Sequence, residues 1–175
     1  MKHFLKKTVW LFVVAASIVT LDQVLKKIVI THLSYGEVWS PWEWLTPYAR
    51  IVHWSNTGVA FGMLQGMNPV FIGLAVLVSF GIVYYYPKIE KKDWMIKLAL
   101  MMELGGAVGN LVDRIKYGHV IDFISVGTFP VWNIADACIT VGVIILLLGV
   151  WLQEKREKNG KAKTTQEQAD NEVSP

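Results

Sequence analysis

The stretch WMIKLALMMELGGAVGNLVDR, Trp94 to Arg114, decides the fold class of this 175-residue chain. From Trp94 to Val112 it is long and apolar enough to cross a bilayer, which takes about 20 residues. It still carries Lys97 near its start, Glu103 midway and Asn110 toward its end. Three other stretches have the same character. Thr8–Ile30 is interrupted late by Asp22, Lys26 and Lys27; Asn68–Tyr86 has no charge; Val131–Gln153 holds Asp136 near its start. Composition agrees, with 53% hydrophobic residues and 18% charged, against about 25% charged in soluble domains. So small a body has too little interior to hide that much apolar surface from water. The reading is an all-α membrane protein: four transmembrane helices with a small β-containing segment on the outer surface. Residues 1–153 are expected to form one domain. Residues 154–175, polar and rich in Lys, Glu and Gln, are expected to be a disordered cytoplasmic tail.

Charge placement orients the spans. Lys2, Lys6 and Lys7 precede the first; Lys88, Lys91, Lys92 and Lys97 surround the second connection; Lys155, Arg156, Lys158, Lys161 and Lys163 follow the fourth. These are most of the 17 basic residues, so all three segments are expected on the cytoplasmic side. Segments 31–67 and 113–130 then face outward. Tryptophan prefers the headgroup level; Trp10, Trp94 and Trp151 fall at inner ends, and Trp39, Trp42, Trp44, Trp54 and Trp132 near the outer boundary. The first span does not read as a cleaved signal peptide, because its apolar run is too long and lacks a small-x-small cleavage site. Arg50 to Ser55 reads as strand. The small net charge of +3 makes no case for nucleic acid.

A charge in the bilayer core costs about 2.5–3.5 kcal/mol, so each one needs a reason. At 1.5 Å per helical residue, Asp22 lies roughly 21 Å beyond Thr8 and Asn110 roughly 24 Å beyond Trp94. Asp136 enters from the outer side, and Asn56 and Asp122 sit in the outer segments. The polar groups therefore converge near the outer surface. Asp22 and Lys26 share a helix face as an i,i+4 pair. Gly105 and Gly109 permit close helix approach. Asn133, Asp136 and Thr140 make a stripe, and Asp136 has no basic residue one turn away, so its partner must come from another segment. Glu103 shares a face with Asn110 and should point into the bundle.

There is no G-x-S-x-G elbow and no H-E-x-x-H helix. Cys138 is the one cysteine, with no nearby histidine, and reads as a small core residue. His3, His32, His53 and His119 are scattered, so no metal or cofactor is expected. Asp122 and Asp136 remain, 14 residues apart, and Gly127 and Pro130 between them let the chain turn back. Two carboxyls at hydrogen-bonding distance share one proton, so one can act as base on a water while the other polarises a carbonyl.

Five blocks, taken together, resemble the bacterial lipoprotein signal peptidase (signal peptidase II) family. They are Asp22-Gln-x-x-Lys26, Asn56-Thr-Gly-Val-Ala-Phe-Gly62, Gly105-Gly-Ala-Val-Gly-Asn-Leu-Val-Asp-Arg114, Val120-Ile-Asp-Phe-Ile124 and Phe129-Pro-Val-Trp-Asn-Ile-Ala-Asp136. The resemblance implies an aspartic endopeptidase of the bacterial inner or plasma membrane, with its site near the outer face. Such an enzyme cuts prolipoproteins just before a diacylglyceryl-modified cysteine. It implies Asp122 and Asp136 as the catalytic pair. Asn56, Gly106, Asn110, Arg114, Asn133 and Ala135 would line the site or position substrate, with Asp22 and Lys26 in support. Membrane lipid and cyclic-peptide inhibitors of the globomycin type are the other implied partners. Glu103 stands outside the family pattern. Two other classes remain open from the residues alone: a small transporter or channel, which would need polar groups reaching both faces, and a non-catalytic membrane assembly factor, in which those groups are helix glue.

Overall fold

The computed structural model describes residues 2–58 and 63–173, with side chains from 7 to 58 and from 63 to 159. Residues 59–62, part of the block that begins at Asn56, lie outside the described residues, as do the side chains of Lys2, His3, Lys6, Lys161 and Lys163. The element order is α1 (Lys2–His32), β1 (Val38–Trp39), a 3-10 turn at Glu43–Leu45, β2 (Ala49–Asn56), α2 (Asn68–Tyr85), a second 3-10 turn at Tyr86–Lys88, α3 (Trp94–Tyr117), β3 (Val120–Val126) and α4 (Ile134–Val173). All four helices are long and apolar enough to cross a membrane. Their outward apolar side chains, Leu77, Phe80 and Leu147 among them, are exposed, as a lipid solvent allows.

Three boundaries differ from the sequence reading. The third helix runs on past Val112 to Tyr117 and stops at Gly118, whose φ of 78° is the left-handed cap conformation that glycine adopts without strain. The extension is possible because Asp113 is fully paired, as described below. The fourth begins at Ile134 rather than Val131, because Trp132 exchanges backbone hydrogen bonds with Ile124 at 2.8 and 3.0 Å and is held extended. The α4 backbone is helical through Val173, past the span end expected at Gln153. Near its start Glu154 pairs with Lys158 one turn on at 2.7 Å, a spacing that supports a helix.

α3 is the central helix and packs against the other three. Its glycines make this possible. A Cβ on Gly105 would stand 2.8 Å from Ile18 of α1, and one on Gly106 would stand 2.5 Å from the Ala135 carbonyl oxygen of α4. Leu11, Ala15, Ile82, Tyr86 and Leu104 form a core from α1, the α2 end and α3.

The strands form one antiparallel sheet in the order β1-β2-β3. β2 covers the expected Arg50–Ser55 strand. β3 was not expected as strand, although Val-Ile-Asp-Phe-Ile-Ser-Val between two glycines has strand composition. Its register sets Asp122 opposite Trp54 and Val120 opposite Asn56.

Candidate functional site

The support beneath the site is a buried ion cluster. Lys26, 1% exposed, sits between two carboxylates, 2.7 Å from Asp22 and 2.6 Å from Asp113. Each acid also accepts from a backbone at the site. The Ala135 N–H donates to Asp22 at 3.1 Å, and the Ile121 N–H donates to Asp113 at 3.2 Å. Gln23 donates to Asp113 at 2.7 Å. One cluster therefore fixes α1, α3, the start of β3 and the start of α4 relative to one another. The expected i,i+4 pair is present, and Asp113 and Gln23 join it from positions that sequence spacing alone does not connect.

Lys26 also donates to the Asn110 side-chain oxygen at 3.1 Å. That contact orients the amide, so its nitrogen points at Asp136 and donates at 2.7 Å. The partner of Asp136 thus comes from another helix, as its isolation on α4 required. Asn133 connects the two candidate acids. Its amide nitrogen donates to Asp122 at 2.7 Å and to the Asn110 oxygen at 3.2 Å, while its oxygen accepts the Asp136 backbone N–H at 2.9 Å. Asn133 is therefore the cap of α4 rather than part of a helical stripe with Asp136 and Thr140. Asn56 completes the set. Its oxygen accepts the Gly58 N–H at 3.0 Å, which turns its nitrogen toward Asp122 at 3.0 Å.

Asp122 is 1% exposed. Burial, and next the charge of Asp136, hold its carboxyl up at about 7 against the two amide donors that favour ionisation. Arg114 donates to the Gly58 carbonyl at 3.3 Å and lies over Phe71, which keeps its guanidinium at the mouth of the site. Gly106 and Ala135 are packing positions: the missing side chain of the first admits the backbone of the second.

Two cavities adjoin the acids. One, of about 530 Å³, has Asp136, Asn110 and Arg114 at its polar end and runs along Ile139, Thr140 and Val141 of α4. The other, of about 620 Å³, lies against the sheet and includes Asp122, Arg50, Trp54 and Ser125. They share Asn56, Phe129, Pro130 and Val131. Phe129–Val131 were quoted in sequence as part of a block, but their place between the cavities follows only from the return of the chain after β3.

The remaining candidates lie apart. His53 bonds the Leu33 carbonyl at 2.9 Å and packs edge-on to Tyr35. Cys138 is a free, half-buried thiol. Glu103 packs against Gly142 of α4, toward the bundle as expected. Among the described residues no three His, Cys, Asp or Glu side chains gather into a group able to hold a metal ion.

A family model described as Signal peptidase (SPase) II matches residues 14–152. A lipoprotein signal peptidase of Brevibacillus brevis is 38% identical over 154 residues, which cover 85% of this chain and 99% of that one. One from Acinetobacter baumannii is 39% identical over 166 residues, covering 88% and 90%. Among solved structures, one described as a bacterial membrane enzyme superposes with a TM-score of 0.76 at 28% identity, over 83% of this chain and 90% of that one.

Proposed function

The chain belongs to the signal peptidase II family, and on that premise we propose that Asp122 and Asp136 are its catalytic pair and that it is an aspartic endopeptidase. It is a multi-pass membrane protease that removes signal peptides from prolipoproteins. The observation that carries the proposal is the placement of a buried carboxyl, Asp122, and a half-buried one, Asp136, linked through Asn133, where an apolar and a sheet-side cavity meet.

The chemistry follows from one proton shared by two acids. The ionised carboxylate takes a proton from water as the oxygen attacks the scissile carbonyl carbon. The protonated carboxyl gives its proton to the carbonyl oxygen. The tetrahedral intermediate then returns that proton, the C–N bond breaks, and the new amine takes the proton first removed from water. No covalent enzyme intermediate forms. Arg114 lies beside Asn110 and Asp136 and is suited to hold a substrate carbonyl. Asn56, Asn110 and Asn133 fix the acids, Gly106 and Ala135 let α4 approach, and Asp22 and Lys26 hold the frame.

The cut falls just before the diacylglyceryl cysteine, with the acyl chains left in lipid beside the apolar cavity. The basic ends Lys7, Lys88–Lys97 and Lys155–Lys158 face the cytoplasm together with both termini, and the sheet lies on the outer surface. Residues 1–153 act as one domain. Cyclic peptides of the globomycin type would compete for the same cavity.

The test is cleavage of a diacylglyceryl prolipoprotein by Asp122→Asn and Asp136→Asn. Each should remain in the membrane and lose about 100-fold or more in rate. Normal cleavage by either variant rules out the pair.

A further inference from the structure

The sheet-side cavity, of about 620 Å³, reaches from Asp122 to Arg50. A signal peptide arriving from lipid is apolar and fits the α4-lined cavity. The other half of the substrate, beyond the scissile bond, is a water-soluble polypeptide. A surface that continues from Asp122 away from the α4-lined cavity holds Trp54, Ser125 and Arg50.

Arg50 sets its charge. It lies on β2 opposite Ser125 of β3, three residues past Asp122. At about 3.4 Å per strand residue this puts it roughly 10 Å from the catalytic position. Its guanidinium donates to the Thr46 carbonyl at 3.3 Å, and no carboxylate pairs with it among the described residues. Its wall is otherwise neutral: Ser125 is buried, and Trp54 is stacked on Tyr35 with ring centres 5.6 Å apart, giving a fixed flat side. Among the described residues Arg50 is the one cation lining this cavity and Asp122 the one anion.

We infer that this cavity is the binding site for the polypeptide segment on the carboxyl side of the cut, and that Arg50 selects for an acidic side chain there. An extended chain covers 10 Å in about three residues. The selected position is therefore the third residue of the released protein, counting the lipid-modified cysteine as the first. This rests on the catalytic reading of Asp122 and Asp136.

The test uses three synthetic diacylglyceryl substrates that differ only at that third position, with Glu, Gln or Lys. For the wild-type protein in detergent or nanodiscs, kcat/KM should fall in the order Glu, Gln, Lys. The span from Glu to Lys should be about fivefold, the scale of a partly exposed ion pair, and should shrink as salt rises. Arg50→Gln should collapse the order, and Arg50→Lys should keep it. Equal rates on all three substrates with wild type, or an unchanged order in Arg50→Gln, overturn this inference and leave the catalytic reading standing. Cleavage of none of the three by wild type overturns the catalytic reading, and this inference with it.

Discussion

Asp122 accepts hydrogen bonds from two asparagines, Asn56 and Asn133, and still holds its proton to about pH 7, because burial and the neighbouring Asp136 charge outweigh them. This has a consequence for rate. In the proposed mechanism the pair works with one proton, so kcat/KM should fall above about pH 7, approaching tenfold per unit as that proton is lost; a rate flat from pH 6 to 9 would contradict it. It also has a consequence for stability. The folded value lies above the unfolded one of 3.8, so the native state binds more protons between the two, and stability drops as pH rises through that window. Asp122→Asn cannot ionise and should remove this drop in thermal melts. The candidate acids were legible in the sequence, since Asp136 stands alone on an apolar helix with no base a turn away. Their wiring was not. Asn133 reads as one more polar residue until the β3 return and the α4 cap bring it between Asp122 and Asn110.

At the scale of elements, the glycines of α3 decide how closely acids from different segments can meet. Gly106 has the Ala135 carbonyl oxygen and Ile139 at 2.5 and 2.6 Å from where a Cβ would stand. Gly106→Ala must push α4 outward, costing about 1–3 kcal/mol. Because Asp136 follows Ala135, a shift of 1 Å there should cost about 100-fold in cleavage. Gly73→Ala on α2, with nothing within 4 Å of the new atom, is the control and should cleave normally. The four spans could be read from apolar run length, and β2 from its composition. The ends could not: α3 continues to Tyr117 because Lys26, 87 residues upstream of Asp113, compensates that acid, and α4 starts late because Trp132 pairs with β3. Both depend on partners distant in the chain, which local periodicity does not register.

For the whole molecule, the order in which the parts are synthesised matters as much as where they end. Asp22 and Lys26 reach the bilayer 91 and 87 residues before Asp113 exists. At about 5–20 residues per second that is roughly 4–18 s of synthesis. During this interval the lysine must be tolerated in lipid, and α1 carries its own counterion one turn away to make that possible. Asp113 then joins a cation already in place. On this argument the cluster should act during insertion as well as clamp the finished fold. Asp22→Asn strands a lone ammonium during the wait, although Asp113 still balances it later. Its main effect should be on membrane-inserted yield in pulse–chase, with a smaller effect on the melting of the molecules that do insert. A normal yield with a large loss of melting temperature would mean that the clamp alone matters. In this view the first helix is its own chaperone, holding a neutral pair in reserve until the third helix arrives to claim it.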